Sequence, residues 1–94
     1  MKQKISGFDW DDGNWPKCAK HGLTKTEIEE VFEEGPDIYS DPTTDEDRWR
    51  AIGTTTEGRY VFIVFTLRRI ATKTYIRPVS ARFMHQREIR RYEQ

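Results

Sequence analysis

Residues 59–67, RYVFIVFTL, are apolar on both sides of an extended chain. Val61, Ile63, Phe65 and Leu67 fall on one face, and Tyr60, Phe62 and Val64 on the other. A strand with no polar face must be covered from both sides, so it belongs at the centre of a sheet. In a chain of 94 residues, the size of one domain, that demand organises the rest. Residues 49–55 read as the strand before it, joined through a hairpin turn at Glu57-Gly58. A second turn over 68–73 leads to a strand over 74–80, where Pro78 lacks an N–H and fits only an edge or a bulge. A short first strand is expected over 5–10, with Phe8 and Trp10 on one face.

Helices are expected to cover this sheet. Thr24-Lys25-Thr26-Glu27 spells a capping box, with Leu23 and Ile28 placed as a hydrophobic staple. Ile28, Val31 and Phe32 continue as the stripe of an amphipathic helix, which Gly35-Pro36 ends. An earlier helix is predicted from Trp15, with Asn14 as its cap and Gly22 as its stop. Residues 41–47 read as a polar, acidic loop, and residues 83–93 as a closing helix. The fold class is therefore α+β over residues 1–94: two N-terminal helices and a C-terminal helix packed on an antiparallel sheet.

Charge divides the chain in two. Residues 1–47 set five Lys against thirteen Asp and Glu, a net of −8; residues 48–94 set eleven Lys and Arg against Glu57, Glu88 and Glu93, a net of +8. Ten of the eleven bases are Arg, whose planar fork of donors matches phosphate. Two readings stay open: an acidic partner, such as nucleic acid, for one half, or mutual neutralisation of the halves within one fold. Cys18 is the lone cysteine, so no internal disulfide forms. No apolar stretch approaches the ~20 residues of a membrane span, and the N-terminus lacks the apolar core of a signal peptide; the expected location is the cytoplasm.

Several chemistries find no support. Cys18 and His21 are too few for a structural zinc site, and no glycine-rich phosphate loop or serine elbow is present, so neither metal nor cofactor is expected. A two-carboxylate nuclease needs acids beside its basic groove, and here acids avoid the basic half. The C-terminal run is richer. On a helix, His85, Glu88, Ile89 and Tyr92 share one face. His85 is a candidate proton carrier, Glu88 its orienting partner, Arg82 a phosphate ligand and Tyr92 a donor or a stacking surface. RNA cleavage without a metal needs these functions: a base for the 2′-OH, a cation for the phosphorane and an acid for the leaving oxygen. The structural alternative makes Ile89 and Tyr92 anchors to the core, with Arg87, Arg90 and Arg91 a solvated face. His21 after Lys20 likewise reads as a pair of cations at a helix end. No helix-turn-helix spacing suggests direct DNA binding.

FDWDDGN at 8–14, KHG at 20–22 and EVF at 30–32 resemble the opening of the BrnT toxins. RAIGTTTEGRYVFIVFTLR at 50–68 is similar to that family's central hairpin, and IRPVSARFMHQREIRRYE at 76–93 to its closing motif. The resemblance implies a RelE-like fold and a metal-independent endoribonuclease of a bacterial type II toxin–antitoxin module, which arrests growth by cutting RNA, free or on the ribosome. It implies a cognate BrnA-like antitoxin, a heterotetramer with it, and operator DNA bound only through that antitoxin. Carried over by motif, the candidate catalytic residues are Lys20, His21, Arg82, His85 and Glu88, and the candidate RNA-binding residues Arg59, Arg68, Arg87 and Tyr92. The alternative is a non-catalytic module whose Arg-rich half docks an acidic partner or acts as a co-repressor.

Overall fold

The structure, a computed structural model, describes residues 4–41 and 47–94. Five strands form one sheet: β1 (Gly7–Phe8), β2 (Asp37–Ser40), β3 (Arg48–Thr54), β4 (Tyr60–Ile70) and β5 (Lys73–Phe83). Their order across the sheet is β1-β5-β4-β3-β2, so β4 is central, as its two apolar faces require. The sheet is mixed rather than antiparallel, because β1 runs parallel to β5 while every other pair is antiparallel. The expected loop over 41–47 falls largely on residues 42–46, outside the described residues.

Helix α1 (Lys25–Glu33) covers one face of the sheet. Its capping box is formed in both directions: the Glu27 N–H donates to Thr24 Oγ1 at 3.1 Å, and the Thr24 N–H donates to Glu27 Oε1 at 2.9 Å. Ile28 and Val31 are fully buried against Val61, Ile63 and Phe65, and Phe32 meets Phe65 edge-on at 5.0 Å. Gly35 ends the helix with φ +80, a conformation that costs a residue with a side chain energy and glycine little. Gly53 on β3 lets the helix come close: a Cβ there would stand 2.9 Å from the Pro36 Cβ and 3.2 Å from Val31.

Only one N-terminal α-helix forms among the described residues. In place of the helix expected from Trp15 there are turns and a three-residue 3-10 helix, Lys17–Ala19. The pre-proline position at Trp15 disfavours helical dihedrals, and Asn14 is used elsewhere. Its buried side chain donates to the carbonyls of Asp9 and Pro78, both at 2.9 Å, and accepts the Asp11 N–H at 2.8 Å. Asn14 therefore pins this segment to β5 rather than capping a helix.

The second correction concerns the C-terminus. β5 extends to Phe83, so Ser80, Ala81 and Arg82 are strand residues, and only Gln86–Tyr92 is helical (α2). Pro78 sits at a bulge, where the register with β4 slips between Val64–Ser80 and Phe65–Pro78. α2 lies on the sheet face opposite α1. Tyr92 packs on Tyr60 at 5.9 Å and donates its hydroxyl to Asp37 on β2, while Tyr60 donates to Glu93 at 2.8 Å.

Candidate active site

Alternation along β4 and the cross-strand register sort the arginines. Phe62 faces away from α1, and its partner across the pair is Arg82 on β5. The Arg82 guanidinium lies 4.8 Å from the Phe62 ring centre, a cation held over an aromatic face. Its two terminal nitrogens donate to the two Glu88 oxygens, each at 2.8 Å. Glu88 Oε1 also accepts the His85 backbone N–H at 2.9 Å, fixing the first turn of α2. The Arg82 bond above all, and then the His85 N–H, hold the Glu88 carboxyl down at about 2. Glu88 is thus a carboxylate with both oxygens committed, suited to orienting Arg82 rather than to carrying a proton. Arg82 uses two donors on Glu88 and keeps the remainder of its five.

A cleft of ≈ 320 Å³ opens beside this pair, lined by His21, Arg82, Phe83, Met84 and His85. His21 arrives from the turn before α1, and His85 from the junction of β5 with α2; both are exposed. Arg59, at the start of β4, places its guanidinium carbon 3.5 Å from the Phe83 ring centre and so borders the same end of the sheet. Two imidazoles and the Arg82 guanidinium therefore line a space open to solvent, with Arg59 on the Phe83 ring at its border. Such a set can transfer protons and stabilise a dianionic phosphorus centre.

Other candidates lie elsewhere. Lys20 is exposed at the end of the 3-10 turn and does not line the cleft. Arg87 is exposed on α2, and Tyr92 is occupied by Tyr60 and Asp37. Arg68 stands at the far end of the sheet, 3.2 Å from Asp9. There Arg77, inside the closing motif but not among its candidate site residues, bonds Asp9 at 3.0 Å and both oxygens of Asp11 at 2.9 and 3.0 Å. Asp11 is held below its usual range, first by Arg77 and then by the Gly13 N–H. Arg50 pairs with Asp41 at 3.1 Å. For Arg50, Arg68 and Arg77, then, the acidic half neutralises the basic half within the fold. The residues that sequence reasoning misses are Phe62, Arg77, Asp9 and Asp11. The FDWDD motif is the available signal for the two acids; Phe62 and Arg77 lie within the central and closing motifs, but no residue type there sets them apart as site residues.

A second hollow of ≈ 360 Å³, lined by Asp47, Trp49, Leu67, Arg69 and Thr74, lies toward the other end of β4 and contains no imidazole. Burial raises the Cys18 thiol, which removes it as a nucleophile. Among the described residues no three His, Cys, Asp or Glu side chains gather as a metal site, and no helix is long and apolar enough to cross a membrane. The model of a family described as the ribonuclease toxin BrnT, of type II toxin–antitoxin systems, matches residues 10–88. That span contains every residue of the cleft. No curated protein matches the chain.

Proposed function

The chain belongs to the BrnT family of type II toxin–antitoxin ribonuclease toxins, and from that premise we propose that the cleft between β5 and α2 cuts RNA without a metal. The observation that carries this reading is that His21 and His85, from opposite ends of the sequence, line one cleft with Arg82. One imidazole takes the proton of a ribose 2′-OH as its oxygen attacks the adjacent phosphorus. The other, protonated, gives its proton to the 5′ oxygen as the P–O5′ bond breaks. The products are a 2′,3′-cyclic phosphate and a 5′-OH. Arg82 stabilises the phosphorane, Arg59 steadies the entering phosphate, and Glu88 with Phe62 holds Arg82 in place. Lys20 adds positive charge nearby, and Arg87 and Tyr92 on α2 belong to the surroundings of the RNA path, whereas Arg68, bonded to Asp9 at the other end of the sheet, is left out of it. The protein acts as one RelE-like domain in the cytoplasm. A BrnA-like antitoxin neutralises it in a heterotetramer and carries the pair to operator DNA.

A second reading, a docking module without catalysis, draws support from the internal pairing of Arg50, Arg68 and Arg77: arginine richness alone does not require RNA. One experiment separates the two. Purified protein is incubated with end-labelled RNA, beside His21→Ala, His85→Ala and Arg82→Ala. Cleavage to cyclic-phosphate ends, lowered about 10²–10⁴-fold by loss of either imidazole, supports catalysis. Folded wild-type protein that leaves RNA intact would move the assignment to docking.

A further inference from the structure

The sheet face that bears Arg82 continues beyond the cleft. Phe62 on β4 stands between Arg82 on β5 and Ile52 on β3, and the neighbouring row reads Ser80, Val64, Arg50 and Tyr39 from β5 to β2. Arg50 leans from that row over the same Phe62 ring, at 5.8 Å from its centre. Tyr39, directly across from Arg50 on the edge strand, is 45% exposed, an unusual degree for a large aromatic side chain in this molecule. From Arg82 to Tyr39 the face thus presents cation, ring, cation, ring across four strands, about 14 Å at the usual ~4.8 Å spacing.

The surrounding charges favour an anionic strand as the occupant. α2 borders this row, since its Tyr92 reaches Asp37, two residues before Tyr39. The outer side of α2 carries Arg87, Arg90 and Arg91, all exposed and with no acidic partner among the described residues. Asp37 and Asp41 flank Tyr39 on the same face, bonded by the Tyr92 hydroxyl and by Arg50. Glu88 is bonded by Arg82 and Glu93 by the Tyr60 hydroxyl, so the positive charge on this side comes from the exposed arginines of α2. Arg50 meets Asp41 through one nitrogen at 3.1 Å, whereas Arg82 meets Glu88 through two at 2.8 Å. An exposed ring beside guanidiniums is how single-stranded nucleic acid is held: a base stacks on the ring while phosphates meet the cations. Here that ring is Tyr39, since Phe62 is partly buried beneath Arg50 and Arg82.

We propose that single-stranded RNA leaving the cleft crosses this face, and that Tyr39 stacks on one of its bases, setting affinity and sequence context for cleavage. The inference rests on the RNA-cleavage reading of the cleft.

The test is a fluorescein-labelled 2′-O-methyl oligoribonucleotide, which cannot be cut, titrated with the intact protein at several salt concentrations. Tyr39→Leu is expected to bind about 5- to 100-fold more weakly, with an unchanged slope of log affinity against log salt. Tyr39→Trp retains affinity. Arg50→Ala reduces the slope by about 0.7, as expected when one cation no longer meets a phosphate. If Tyr39→Leu does not fold, Tyr39→Thr, which keeps strand propensity, is read in the same way. Binding by Tyr39→Leu within twofold of wild type, or a slope that falls with it, overturns the role of Tyr39 while leaving cleavage by wild type intact. Wild-type protein that neither binds the oligonucleotide nor cuts RNA removes the cleft reading and this inference together.

Discussion

Two arginine–carboxylate clusters stand on the same face of the sheet and are put to different uses. At the β1 end, Arg77 is surrounded by Asp9 and both oxygens of Asp11, and Arg68 adds a second cation to the same acids. Donors and acceptors there largely satisfy one another, and the cluster ties the N-terminal segment to β5. At the α2 end, Arg82 meets one carboxylate, lies on an aromatic ring and borders a cleft with two imidazoles. The ion pairs are alike in length; the neighbours differ. An arginine whose partners enclose it holds a fold together, whereas one fixed on a single side has donors left for a ligand.

The sharpest way to break this contrast is to remove each arginine in turn. Arg82→Ala is expected to lower single-turnover cleavage about 10²–10³-fold, the cost of losing a cation from the transition state, with a small change in melting temperature. Arg77→Ala should do the reverse: destabilisation of about 1–2 kcal/mol, because half-buried Asp9 loses the nearer of its two arginines and Asp11 both of its bonds to Arg77, and cleavage within a few-fold of wild type. Equal losses of activity in both variants would show that the clusters are one functional unit.

A finer test concerns the ring under Arg82. Phe62→Leu keeps an apolar strand residue but removes the π face. If that ring positions the guanidinium, cleavage falls roughly 3- to 30-fold while RNA affinity changes less. Restoration by Phe62→Tyr is expected. A Leu variant as active as wild type would leave Glu88 as the sole orienting group.

Part of this arrangement is legible in the sequence, and the reasons are physical. β4 is readable because two apolar faces allow one position in a sheet, and α1 because its capping box and stripe are local signals. The bulge at Pro78 follows from a missing N–H. The short edge strand β2 has no such signal, since four residues, only two of them strand-favouring, form a strand here through pairing with β3. Residues 83–93 read as one helix because His85, Glu88, Ile89 and Tyr92 suit helical spacing as well as a strand-to-helix junction. What decides between them is the continuation of β5 to Phe83, set by pairing with residues some twenty positions away. The helix expected from Trp15 fails for a related reason: Asn14 spends its side chain on β5, a long-range bond that no local pattern announces. Lys20, His21 and His85 all stand out in the sequence by residue type and motif. That His21 and His85 share a cleft and Lys20 does not depends on how the turn after Lys17–Ala19 meets the end of β5.

The smallest expected effect separates the clusters by acid. Glu88 has an ordinary value of 4.5 and is held at about 2 in the folded protein by Arg82 and the His85 N–H. A carboxyl depressed on folding contributes stability that is complete above its unfolded value and is lost as pH falls through its folded value. The hold of Glu88 on Arg82 and α2 should therefore be full above about pH 4.5 and disappear toward pH 2. The pair is partly exposed, so its loss should cost at most a few degrees of melting temperature. Glu88→Gln should remove this share of the acid dependence, while the part due to Asp11, also depressed, persists at the β1 end. Hydrogen exchange of the α2 amides at about pH 3 and pH 6 would read the effect locally. Lower protection of the α2 amides at the lower pH for wild type, taken against the intrinsic exchange rate at each pH, and no such change in Glu88→Gln, is the expected result. Equal pH sensitivity in both proteins would mean that α2 is held by Tyr60, Tyr92 and Asp37 alone, leaving Arg82 orientation to Phe62.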